Sequence, residues 1–86
     1  MAVTYRRFLR LKLQEEGGSF LLEAGAERVS RQVEEEGGLD ASARAMIVQD
    51  ITAAYVTGGR DKSQSALARM PDAELIDELF RAEASA

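Results

Sequence analysis

The opening stretch MAVTYRRFLRLKLQEEGGSFLL, residues 1–22, decides the fold. Within it Leu9-Arg10-Leu11-Lys12-Leu13 alternates apolar and basic residues with period two, the pattern of a half-buried strand. Gly17-Gly18 would then turn this strand onto Phe20-Leu21-Leu22 as a hairpin. The competing reading is a helix from Val3 to Glu16, in which Tyr5, Phe8, Leu9 and Leu13 fall near one face. Fourteen residues are long for a strand, and most of them are good helix formers. The stretch therefore reads as helix, and with it the whole chain reads as all-α.

Outward from this stretch, glycine pairs set the segment lengths. Six of the seven glycines form the doublets Gly17-Gly18, Gly37-Gly38 and Gly58-Gly59. Glycine enters the left-handed conformation that closes a helix C-terminus without a side-chain clash. The second segment, Phe20 to Glu36, has Ser19 placed as N-cap and an apolar stripe of Leu22, Ala26, Val29 and Val33 at helical spacing. The third starts after Asp40, a good N-cap, and its apolar residues (Ala45 to Val48, Ile51, Ala53 to Val56) leave little polar face. Such a helix is expected at the centre of the fold or in an oligomer interface. A short helix from Ser63 to Met70 follows, then one from Pro71 to about Ala82 with acids Asp72 and Glu74 in its first turn. The expected fold is a single domain over residues 1–86, an antiparallel bundle of four to five short helices.

Composition narrows the chemistry. The 86 residues contain no cysteine and no histidine. Disulfides, thiolate nucleophiles, Ser-His-Asp arrangements and ordinary zinc sites are thereby excluded, and no cofactor or metal site is expected. No acidic cluster has calcium-loop spacing. Carboxylates do acid–base work only when burial or a neighbour separates their pKa values. Asp50, on the most apolar helix, is the sole candidate, and a non-enzyme is expected.

No apolar run is long enough to cross a bilayer, so no membrane association is expected and a cytoplasmic location is the default. The first 14 residues have the composition of an organellar presequence but lack its serines, and they read as part of the fold. Arginine outnumbers lysine nine to two, which suits a GC-rich bacterial or phage genome.

Charge is segregated. Residues 1–14 carry +4 from Arg6, Arg7, Arg10 and Lys12, whereas residues 15–40 carry −6. Glu34-Glu35-Glu36 closes the second segment, at the end where the helix dipole disfavours acids. This corner is expected either to meet a basic partner or to pack near the arginines of the first segment. Together these features point to a protein-interaction module: a small accessory subunit, an adaptor or a phage-type inhibitor whose acids imitate nucleic acid. Its expected binding residues are Arg6, Arg7, Arg10, Glu34, Glu35 and Glu36, with a second copy of the chain as a further candidate partner.

The alternative is a nucleic-acid-associated protein using the basic first helix, where Tyr5 and Phe8 would stack bases. Two further motifs carry less. Thr57-Gly58-Gly59-Arg60-Asp61-Lys62-Ser63 lacks the glycine that precedes the lysine in a phosphate loop, although an anion could rest on Arg60, Lys62 and Ser63. Gln64, Leu67 and Ala68 echo the first helix of a helix-turn-helix, but the helix that follows is acidic and would repel DNA.

Overall fold

A computed structural model of the chain describes residues 2–16, 22–58 and 64–85. It is all-α. Five helices occur among the described residues: α1 (Tyr5–Glu16), α2 (Leu22–Glu35), α3 (Ala41–Gly58), α4 (Gln64–Ala68) and α5 (Asp72–Ser85). The run 9–13 lies wholly within α1, so its period-two alternation is not a strand. The Gly17-Gly18 turn, Ser19 and the proposed anion site at Arg60, Lys62 and Ser63 lie outside the described residues.

α1 and α2 pair antiparallel. Glu15 meets Arg28 near one end, and Arg7 meets Glu36 at the other. α2 also runs antiparallel to α5, with Gly25 beside Phe80 and Gly38 beside Asp72. α3 packs on α1, α4 and α5. At 12 to 14 residues, α1, α2 and α5 are too short to persist alone in water. Their helicity comes from the shared core, in which Phe8, Val33, Ile47, Ile51, Leu75, Ile76 and Leu79 are at most 1% exposed. No polar or charged residue among those described is buried in it.

α3 is less enclosed than its sequence implies. Its buried residues, Ala43, Ile47, Val48, Ile51 and Tyr55, follow one face. The outward positions include Ala41, Ala45 and Ala53, whose methyl groups lose little in water, with Met46 and Val56 and the polar Ser42, Gln49 and Thr57. The helix reads as apolar nearly all round because alanine occupies several solvent-side positions, not because it is buried on all sides.

The junction between α2 and α3 is tightly specified. The Gly38 N–H donates to the Val33 carbonyl at 2.9 Å and the Gly37 N–H to the Glu34 carbonyl at 3.1 Å, a Schellman closure of α2. Gly37 and Gly38 have φ of 105° and 83°. The N-terminus docks on this turn: the Val3 N–H donates to the Gly38 carbonyl (2.7 Å), and the Asp40 N–H donates to the Val3 carbonyl (3.0 Å). Asp40 then caps α3, its Oδ1 accepting the Ala43 N–H at 2.6 Å.

Two glycine substitutions should act in opposite directions. A Cβ on Gly38 would sit 3.0 Å from Asp72 Oδ2 on a left-handed backbone, so Gly38→Ala should destabilise by about 1–2 kcal/mol. Gly25 is buried inside α2, and a Cβ there would meet only ordinary contacts at 3.5 and 3.6 Å. Gly25→Ala should therefore stabilise by about 0.5–1 kcal/mol through helix propensity. Urea midpoints of the two variants check this, and equal midpoints would contradict it.

Candidate functional site

The buried side of α1 is Phe8 and Leu11, 0% and 6% exposed. Leu9 and Leu13, which the sequence places near one face with Tyr5 and Phe8, are instead 40% and 68% exposed. At 100° per residue Phe8 and Leu11 share the inward side, and one helix cannot present all four residues to one core. Leu9 and Leu13 consequently share the outer side with Arg6 and Arg10, both of which are exposed. The outer face of α1 thus carries Arg6, Leu9, Arg10 and Leu13 at positions i, i+3, i+4 and i+7.

The other residues expected to bind a partner are distributed differently. Arg7 turns to the α2 terminus, where its Nε donates to Glu36 Oε1 at 3.0 Å and its Nη2 to Glu36 Oε2 at 2.8 Å. Gln32 adds a third donor to Glu36 at 2.6 Å. Arg7 and Glu36 thus belong to one internal contact, which accounts for the last of the three consecutive acids at this helix C-terminus: it answers an arginine from α1. Glu34 and Glu35 remain exposed on α2, separate from the outer face of α1.

The Arg7 guanidinium and the Gln32 amide hold the Glu36 carboxyl down at about 2, from an ordinary 4.5. The folded form binds its proton less readily than the unfolded form. Glu36 therefore contributes stability that is full above about pH 4.5 and is lost as the pH falls towards 2. Glu36→Gln should flatten the acid limb of a stability–pH curve over that range while changing the shape little near neutrality. An unchanged acid limb would rule the contact out as a source of acid sensitivity.

Most other basic residues are likewise matched to acids of the chain. Lys12 Nζ lies 2.8 Å from Glu83, Arg28 2.8 Å from Glu15, Arg31 2.9 Å from Glu27 and Arg81 3.0 Å from Asp77, and Arg44 pairs with Asp72. Among the described basic residues Arg6, Arg10 and Arg69 make no ion pair with another described residue. Two of these three lie on the outer face of α1.

Beside this face, α1 and α3 enclose an open groove of about 510 Å³. Leu9, Ala53, Ala54 and Thr57 line it together with Tyr5, Asp50, Lys12 and, from α5, Glu83. Its ionisable groups are mutually engaged: Tyr5 donates its O–H to Asp50, and Lys12 pairs with Glu83. Burial, with the hydrogen bond to Asp50, pushes the Tyr5 phenol up to about 12, so it stays a neutral donor at physiological pH. Asp50, the one candidate acid–base residue, is thus occupied as an acceptor.

Among the described residues no three carboxylates converge as metal ligands would, and no helix is long and apolar enough to cross a membrane. Compared with protein-family models, with curated proteins and with solved structures, the chain matches none.

Proposed function

We propose that this chain is a non-enzymatic protein-interaction module that docks through the outer face of α1. The observation that carries the reading is the state of Arg6 and Arg10. In a chain of net charge −4 that answers most of its other cations internally, these two stand exposed beside two exposed leucines. Guanidinium groups flanking an apolar strip are the composition of a small interface, in which leucine supplies buried area and arginine supplies orientation. The area is modest, so the docking belongs to the transient class. An accessory subunit, an adaptor or an inhibitor would each use such a face.

The same arginines are the basis of the alternative, nucleic-acid association. Two uncompensated charges are few for that task, and exposed leucines add nothing to phosphate binding. A mobility-shift measurement at low salt separates the two: a salt-sensitive shift lost in Arg6→Glu/Arg10→Glu would favour nucleic acid. The interaction reading is tested by placing a photo-crosslinking residue at Leu13 and, as a control, at the exposed Ala45 of α3. A protein adduct formed from position 13 alone, in cells that normally make the chain, and lost in Arg6→Glu/Arg10→Glu, is the expected result. Adducts equal at both positions, or insensitive to the arginines, would end the reading.

A further inference from the structure

Resting on that reading, we infer that the partner presents an amphipathic α-helix with an acidic border, laid along α1 in coiled-coil fashion. The spacing on α1 is that of an exposed heptad seam. Arg6 and Leu13 occupy a-type positions, Leu9 the d position between them and Arg10 the adjoining e position. A seam of this kind accepts apolar knobs from a facing helix, and its e position selects the charge of that helix. Arg10 calls for a carboxylate there, and Arg6, within the seam, calls for a second.

The groove on the α3 side adds depth. Leu9 forms one wall and Ala53, Ala54 and Thr57 the other, so a leucine or methionine of the partner can sink between the helices. Alanine at 53 and 54 keeps that wall low. Of the two acids at the groove, Glu83 is paired with Lys12, whereas Asp50 accepts from the neutral Tyr5 hydroxyl. The partner's acidic border is therefore placed along Arg6 and Arg10, neither of which lines the groove.

A second copy of this chain fits less well. Among the described residues the exposed acids Glu34 and Glu35 lie on α2 and Glu74 on α5, and none of the exposed large apolar residues, Leu9, Leu13, Met46 and Val56, lies on either helix. Such a contact would match charge and leave Leu9 and Leu13 uncovered. Two α1 faces set against each other would oppose arginine to arginine.

The probes are two designed peptides about three heptads long, with leucine at a and d and either glutamate or lysine at every e and g. Like charges at e and g keep each peptide from pairing with itself. Binding is followed by fluorescence anisotropy with the intact chain. The glutamate peptide is expected to bind at least about tenfold more tightly than the lysine peptide, with the difference shrinking as salt rises. Arg6→Glu/Arg10→Glu should reverse the preference, a gain that an unfolded variant could not show. Leu9→Ser/Leu13→Ser should weaken binding of both peptides.

Equal binding of the two peptides, no binding of either, or a preference that survives the arginine change would overturn the helix inference. So would concentration-dependent self-association abolished by Arg6→Glu/Arg10→Glu, or binding to anionic vesicles or a DNA duplex tighter than to the glutamate peptide. If the peptides fail while the crosslink from position 13 persists, the interaction module stands and only its helical partner falls.

Discussion

Truncating Phe8 to alanine is expected to lower folding stability by about 3–5 kcal/mol, whereas Leu13→Ala on the same helix should change it by less than about 0.5 kcal/mol. Phe8 is 0% exposed and Leu13 68% exposed, although both are large apolar residues of α1 and only five positions apart. Removing the Phe8 ring opens a cavity where α1 meets the core, and a helix of 12 residues cannot hold itself together while its neighbours rearrange. At roughly 0.05–0.15 kcal/mol per residue, a domain of this size has only about 4–13 kcal/mol in all. Phe8→Ala should therefore show a urea transition moved far towards zero denaturant, with much of the helical circular dichroism already lost at 37 °C. Leu13→Ala should retain the parent midpoint. If the two variants lose equal stability, α1 is rotated from the orientation described, and the outer face proposed for docking would be part of the core.

That contrast marks where the sequence was legible and where it was not. The all-α fold could be read because local signals agreed. Length and propensity outweighed the alternation at 9–13, Gly37-Gly38 closed α2, and Asp40 capped α3. These are contacts within a few residues, which the sequence order itself brings together. The face of α1 could not be read so simply, because apolar residues lie on both of its sides. Leu9 and Leu13 resemble core residues until Phe8 and Leu11 are seen to take the inward side. The spacing of Phe8 and Leu11, three apart, was the available signal. On α3 the difficulty was the reverse: alanine at outward positions made an exposed side look buried.

Charge segregation along the chain had a similar fate. The basic first segment and the acidic second each read as a binding surface, and part of each answers the other through Arg7 and Glu36. Sequence shows that the charges are complementary but not which of them meet. What folding leaves over is smaller and better placed than the run of four positive charges suggested: two arginines and two leucines on one side of a helix. The matched pairs are contacts between or along helices that the apolar core already holds together. The unmatched Arg6 and Arg10 are those assigned to the proposed docking face.

Asp72→Ala is expected to destabilise the chain by about 2–3 kcal/mol, the second large effect. The Asp72 carboxylate stands in the first turn of α5, where it complements the helix dipole. Its Oδ2 accepts the Leu39 N–H at 2.9 Å, and its Oδ1 accepts from Arg44 of α3. Arg44 in turn donates to the Ala68 carbonyl at 3.1 Å and to the Met70 carbonyl, which tie α4 and the start of α5 to α3. One side chain therefore joins the turn after α2, the middle helix and the final helix. Alanine leaves the Leu39 N–H without its acceptor and Arg44 without a counter-ion, and both losses fall at sites that are only partly hydrated. Asp72→Asn, which keeps an oxygen for Leu39, should be milder by about 1 kcal/mol. Because Arg44 and Asp72 act on one another, the changes Arg44→Met and Asp72→Ala should not add: the double variant is expected to lose about 1–2 kcal/mol less than the two singles together. Urea unfolding of the four proteins gives the comparison. Strict additivity would show that the two residues stabilise the chain independently, and that their contact is not what joins α3 to α5.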